Sequence, residues 1–410
     1  MRQIQPILAA LKKHKAGAIL LSLQVALTLA IVCNAMFIIQ QRLSHMSRPT
    51  GLVESDLLTI QNRWVGVDAA ATTPLINADL LALRQLPGVE DVTQTNSFPL
   101  RGGGRSSNIR VDVDAQSPIA TTTLYFVDNH ALSAMGARLI AGRNFRSDEI
   151  QAADPSAPLT SQQVIITKAL ADKVYPDGSA LGKPVYIGTN TTSPSTVIGI
   201  VERLQAPWPG ASADDFSEFS ILMPIQRAGE YGAYLIRTKP GQLAAVTKSA
   251  PEALKNLNRM RVFSRDQAIR TFETVRRDAY RNDRGMAILM AAISSLLLII
   301  TASGIAGLTS FWVSQRRRQI GVRRALGATK WDILSYFLTE NLLIGVAGVI
   351  VGSVLAMSLN LWMMSHFQMT RLSVIYVLGG VAALLALGQA AVFLLAFKAS
   401  RVSPVEAIRG

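Results

Sequence analysis

Four long stretches of the chain are almost free of strongly charged residues: 16–39, 286–313, 336–364 and 374–397. Each exceeds the ~20 residues that carry an α-helix across a bilayer. Runs of this length are also too long for the core helices of an ordinary soluble domain. The pattern predicts an integral membrane α-helical protein with four transmembrane helices. Glu340 and Asn341 fall near the start of the third run and leave its entry point open. Residues 40–285, between the first two runs, have a different rhythm. "DLLTIQNRWVGV" (56–67) reads as a strand, and "NADLLALRQL" (77–86) as a helix with Asn77 as its N-cap. "PGVEDVTQTNSF" (87–98) reads as a turn followed by a strand. The far end repeats the order, with a strand at 232–238, a helix at 240–257 and a strand at 259–264. Two βαβ-like ends, about 56–98 and 232–264, predict one large α+β domain interrupted by an insertion. That insertion, about 109–225, is strand-rich: "NIRVDVDA", "TTLYFVD", "QQVIITKAL", "KPVYIG", "STVIGIV" and "SILMPI". Gly102–Gly104 and residues 206–219 read as mobile loops.

Charge orients the spans. The chain is 49% hydrophobic and 17% charged, with a net charge of +14 and a pI near 10.2. The excess is concentrated in short segments. Residues 1–15 carry Arg2, Lys12, Lys13 and Lys15 without an acid, and 398–410 carry Lys398, Arg401 and Arg409 against Glu406. Residues 314–335 hold six basic side chains against Asp332, whereas 40–285 holds 27 basic and 24 acidic residues. Positive segments stay on the cytoplasmic side. Residues 1–15, 314–335 and 398–410 are therefore expected in the cytoplasm, and 40–285 with the short 365–373 turn outside. Read this way, the basic pI is a topology signal and not a nucleic-acid footprint. The first run is too long for the h-region of a cleaved signal peptide, and no A-x-A site follows it. It reads as a retained anchor. Val32 before Cys33, where a small residue is wanted, argues against a lipid anchor. Cys33 is the only cysteine, so the external domain has no disulfide and must stand on its own core.

Enzyme chemistry is not evident. His14, His45, His130 and His366 are never at metal-ligand spacing, and His130 beside Asp128 reads as a surface residue. Neither G-x-S-x-G nor H-E-x-x-H occurs. "GSALGKP" (178–184) is too short between its glycines for a phosphate loop and has Pro184 where Ser or Thr would bind magnesium. The chain is expected to bind no cofactor or metal and to have no catalytic site.

Residues 315–334, "QRRRQIGVRRALGATKWDIL", mix arginines with Ile320, Val322, Ala325 and Leu326. One reading is a helix on anionic lipid. The other is a docking element for a cytoplasmic partner. Gly321 and Gly327 favour docking, because glycine costs about 1 kcal/mol inside a helix and a lipid-facing helix has no use for it.

The same segment resembles the stretch after the second membrane helix of FtsX-type ABC permeases of the MacB-like group, R-x-x-E-I-G-[IVL]-R-x-[AS]-[LIV]-G-A. Arg316, Ile320, Gly321, Val322, Arg323, Ala325, Leu326, Gly327 and Ala328 match it. "SAMGARLIAGRNF" (133–145), "VIITKALADKVYPDGSALGKPVYIG" (164–188) and "KASRVSPVEAIRG" (398–410) resemble other parts of the group. The resemblance implies a bacterial inner-membrane permease subunit working by mechanotransmission: an ATPase closes on ATP beneath two permeases, and their helices move the periplasmic domains to drive export. MacB carries its ATPase fused at the N-terminus. The short N-terminus here leads to the expectation of a separate ABC ATPase, which would be the ATP-using partner. The implied coupling residues are Arg316, Gln319, Ile320, Gly321, Val322, Arg323, Arg324, Leu326 and Gly327. Gln319 stands where the family has an acid. Other implied partners are a second permease subunit, identical or not, a periplasmic adaptor and an outer-membrane duct. A lipoprotein-release subunit, an FtsX-like activator of wall hydrolases and a membrane-anchored sensor are the alternative readings.

Overall fold

The computed structural model describes residues 15–399 apart from 116, 154–159, 179, 190, 230, 264–267 and 368–370. The side chains of Ala70, Ala211, Ser212, Arg324, Phe367, Lys398 and Ala399 are also outside the description. The basic termini 1–14 and 400–410, and with them most of the C-terminal motif, therefore lie outside the described residues. The chain divides into two units: Met1–Met46 with Asp283–Gly410, and Ser47–Asn282.

The first unit holds four helices long and apolar enough to cross a membrane: Lys15–Met46, Arg281–Gln315, Lys330–Phe367 and Val374–Ala399. All begin or end beyond the apolar runs, except that the fourth starts with its run at Val374. Backbone hydrogen bonding has no reason to stop where hydropathy does, and Gln40, Gln41 and Arg42 are ordinary helix formers. The second helix has 35 residues, which gives roughly 52 Å at 1.5 Å per residue against a hydrocarbon core of about 30 Å.

Small residues set the packing of the first helix on the third. A Cβ on Gly348 would lie 2.8 Å from the Ser22 carbonyl oxygen, and one on Gly352 would lie 2.8 Å from that of Ala26. This Gly-x-x-x-Gly face lets two backbones meet. Ser22 Oγ donates to the Ile344 carbonyl at 3.2 Å, and Asn34 Nδ2 to that of Ala356 at 3.1 Å. The second helix is held more lightly, through Thr28 and Thr301, whose hydroxyls are 2.8 Å apart, and through Gln24 Nε2 donating to the Ile300 carbonyl. Arg42 pairs with Asp283 at 2.7 Å and ties these two helices together near the ends that lead into the external domain.

The second unit contains two lobes. In the first, a sheet has the order Arg261–Val262, Leu57–Trp64, Tyr231–Thr238, Val89–Thr95, and Ile269–Thr271 also pairs with Leu57–Trp64. All these pairings are antiparallel. The two strand–helix–strand ends thus interleave as a split βαβ, or ferredoxin-like, layer. Helices Thr72–Arg84 and Leu243–Leu257 cover one face around Leu58, Ile60, Ile76, Val92, Ile236 and Leu254. Asn77 is not the N-cap. The helix starts at Thr72, because Pro74 fits a first turn whose N–H groups lack intrahelical partners. Under the helices, Arg261 grips Asp79 with two bonds of 2.6 and 2.8 Å, Tyr234 donates to the same carboxylate, and Trp64 lies against the guanidinium.

The second lobe is a sheet in the order Leu139–Gly142, Ser195–Val201, Gln163–Thr167, Ser220–Met223, Ala120–Phe126, Arg105–Arg110, Pro184–Ile187. Pro184–Ile187 pairs back onto Ser195–Val201, so the sheet closes on itself around Ile109, Leu124, Ile166, Val185, Val197 and Ile221. Leu139–Gly142 and the parallel pair Gln151–Ala153 with Ile225–Arg227 add strands that the local pattern does not announce. The stretches read as mobile loops are fastened together: Gly102 N–H donates to the Pro207 carbonyl at 2.9 Å, and Asp214 pairs with Arg48.

Candidate coupling site between the second and third membrane helices

After Gln315 the chain turns through Arg316 and forms a short helix, Arg317–Ala325. Gly327 ends it with φ of 97°, a backbone state that favours glycine. The Ala328 N–H reaches back to the Arg323 carbonyl at 3.0 Å, the long bond of a Schellman motif. Thr329 and Asp332 then form a reciprocal cap. Asp332 Oδ2 accepts from Thr329 N–H and Oγ1–H, while Asp332 N–H donates to Thr329 Oγ1. The third membrane helix begins at Lys330.

The short helix is rooted in the bundle by charge. Arg316 Nη1 donates to Glu340 Oε2 at 3.0 Å, Glu340 Oε1 at 3.2 Å and the Tyr336 hydroxyl at 3.1 Å. The Glu340 side chain is 2% exposed and that of Arg316 12%. Arg323 and Arg316 lie 5.5 and 5.9 Å from the Tyr336 ring centre, close enough for cation–π attraction. Ile320 packs beside Trp312, Ile333 and Phe337. The sequence-predicted set therefore divides in two. Arg316, Ile320 and Gly321 face the bundle, and Arg323 keeps contact with Tyr336. Gln319, Val322, Leu326 and Gly327 are exposed, Val322 by 48% and Leu326 by 83%. The Arg324 side chain lies outside the described residues. Trp331, 67% exposed, extends the apolar surface. Sequence reasoning did not select Glu340, Tyr336 or Trp331. The available signal was the acid inside an apolar run, which calls for a named partner.

In the external domain, His130 is not a lone surface residue. Its Nδ1 is 2.9 Å from Asp91 Oδ1, and its main-chain N–H donates to Asp128 Oδ1. Arg84 and Thr93 also bond Asp128, so the cluster joins the two lobes. Burial nevertheless raises the Asp128 carboxyl above its usual range, against the pull of these partners. Among the described residues no group of three or more His, Cys, Asp or Glu side chains is placed to hold a metal.

Residues 20–254 match the MacB-like periplasmic core domain, and residues 291–404 match the FtsX-like permease C-terminal domain. The chain belongs to the MacB-like family of FtsX-type ABC transporter permeases. The permease is 26% identical over 294 residues to the macrolide export ATP-binding/permease protein MacB of Chromobacterium violaceum, covering 72% of this chain and 42% of that protein. It is 26% identical over 415 residues to MacB 1/2 of Paracoccus denitrificans, covering 98% of this chain and 58% of that one. The chain thus spans about half the length of these relatives. The crystal structure of the periplasmic region of MacB from Actinobacillus actinomycetemcomitans aligns with a TM-score of 0.36 and 16% identity, over 57% of this chain and 97% of that one. With four candidate membrane helices and a large α+β periplasmic domain between the first two, the permease is a multi-pass membrane protein.

Proposed function

We propose that the permease is the transmitting subunit of an exporter. An ABC ATPase on a separate chain docks on Val322, Leu326 and Trp331, its closure on ATP moves the Arg317–Ala325 helix, and the membrane helices carry that movement to the periplasmic domain. The observation that carries this reading is the division of the coupling segment. One side is locked into the bundle through Arg316 and Glu340, and the other is an exposed apolar face. A helix lying on lipid needs the exposed face but not a buried charge pair beneath it. The second membrane helix, 35 residues without interruption, supplies a rod from this lock to the external domain. In this scheme the termini and residues 314–335 are in the cytoplasm of a bacterial inner membrane, two permeases share one ATPase dimer, and an adaptor and outer-membrane duct receive a periplasmic substrate. The ATP-binding half in the names of the relatives supports an ATPase partner.

The test is to purify the permease with an ATPase encoded beside it and measure complex formation, permease-dependent ATP hydrolysis and export. Leu326→Asp should abolish the complex. Gly327→Leu, which has open space for the side chain but strains the turn, should leave membrane insertion intact and uncouple hydrolysis from export. If both variants behave as wild type in all three assays, the segment is a lipid-surface helix and the scheme fails.

A further inference from the structure

We propose that the cleft between the two lobes of the periplasmic domain binds a small organic anion, a carboxylate with a short planar or apolar body, through Arg101. The cleft encloses about 300 Å³, at the small end of the range for ligand cavities, about 300–1,000 Å³. Gln94 and Tyr231 line it from the ferredoxin-like sheet, and Phe126 and Arg227 line it from the other lobe. Among the described residues no carboxylate is in the lining.

Among the described residues Arg101 has no carboxylate partner. Its Nη1 donates to the Asn96 carbonyl and its Nη2 to Gln61 Oε1, both neutral acceptors. The remaining donors of its fork have no protein acceptor among the described residues. Burial, and then the charge of Arg270, lower its pKa, so its surroundings disfavour the charged form. A bound carboxylate would reverse that balance and could take two parallel N–H bonds.

The backbone gives an independent sign. Leu100 is the one non-glycine residue with positive φ among the described residues, at 65°, and it is buried. It occupies the third position of a turn closed by Arg101 N–H donating to the Phe98 carbonyl at 3.2 Å. A branched side chain is poorly suited to that position, which favours glycine or asparagine. Strain of this kind persists where the surrounding structure holds it, and it collects at ligand clamps. Here it fixes the residue immediately before Arg101. Tyr231, 66% exposed and with Arg63 5.3 Å from its ring centre, supplies a ring for a flat ligand body, and the nearly buried Phe126 adds apolar lining. Because both lobes line the cleft, occupancy would favour the arrangement in which they close upon it.

The experiment uses the full chain in lipid nanodiscs, with para-fluorobenzoate observed by fluorine NMR. Saturable binding is expected, displaced by benzoate and not by benzamide. Arg101→Gln should weaken it by at least about tenfold, the loss of a charge-assisted bond pair. Tyr231→Ala, which removes an exposed ring that Arg63 overlies, should weaken it while cooperative thermal unfolding is retained. No saturable binding up to the solubility limit, or binding equal in wild type and both variants, overturns the site. Inorganic phosphate displacing the probe more effectively than benzoate overturns the carboxylate assignment.

Discussion

Glu340→Gln tests the charge pair that roots the Arg317–Ala325 helix in the bundle. Arg316 Nη1 and Glu340 Oε2 are 3.0 Å apart, and the side chains are 12% and 2% exposed. Two unit charges ~4 Å apart attract by about 4 kcal/mol at an effective dielectric of about 20. Desolvation offsets much of that, so the intact pair need not add much net stability. Breaking it is different, because one ion is left buried without its partner, a cost of about 3–5 kcal/mol. Glu340→Gln should fall at the low end, about 3 kcal/mol, since Arg316 retains Tyr336 and some solvent. Arg316→Gln should cost more, because it strands the nearly fully buried carboxylate. The double variant should cost at least about 2 kcal/mol less than the sum of the two single variants. The assay is unfolding of the full chain in mixed micelles by titration with a denaturing detergent, for wild type and the three variants. Costs that add to within about 0.5 kcal/mol would show that the two side chains do not act as a pair, and the account of how the helix is rooted would fall with them.

Three further outcomes follow from the geometry. Asp79→Asn leaves Arg261 cationic beneath two helices and should destabilise the periplasmic domain by about 3–5 kcal/mol in chemical denaturation, with little effect on membrane insertion. Gly352→Leu places a Cβ against the Ala26 backbone and should part the first and third membrane helices, read as lost disulfide crosslinking between cysteines placed across that seam; unchanged crosslinking would show that the close approach is not required. Glu149 accepts two bonds from Arg143, which hold its carboxyl down to about 2 against an ordinary value of 4.5. Its stabilising contribution is therefore complete above about pH 4.5 and is lost as pH falls towards 2, and Arg143→Gln should flatten the acid limb of the stability profile.

The membrane architecture was legible because a bilayer imposes one demand that hydropathy reports directly. The ends of the helices were less so. Lys15 and residues 40–46 continue the first helix without being apolar, and only backbone geometry shows it. In the periplasmic domain the strand–helix–strand ends were visible through their periodicity. Their interleaved order was not, because Tyr231–Thr238 lying between Leu57–Trp64 and Val89–Thr95 is a pairing over some 140–180 positions that no local pattern encodes. Gln151–Ala153 has no strand character of its own and is defined by its partner Ile225–Arg227. At the candidate coupling site the sequence offered residue types and spacing. It could not show that Arg316 folds inward onto Glu340 while Leu326 points away, since that depends on where one helix stops and the next begins.

The strand-rich insertion leaves the ferredoxin-like layer after Thr95 and returns at Tyr231, and Thr95 and Ala233 are opposite one another across a single antiparallel pair. Topologically, a whole lobe occupies the place of a hairpin turn. By connectivity alone, such a graft can be lengthened or exchanged between its two junctions without reordering the strands of the host layer, although Asp214 on Arg48 and Gln205 on Tyr280 tie it to the chain beside the membrane helices. A segment spliced in at a single strand junction can thus diversify in length and content while the order of the host strands stays the same.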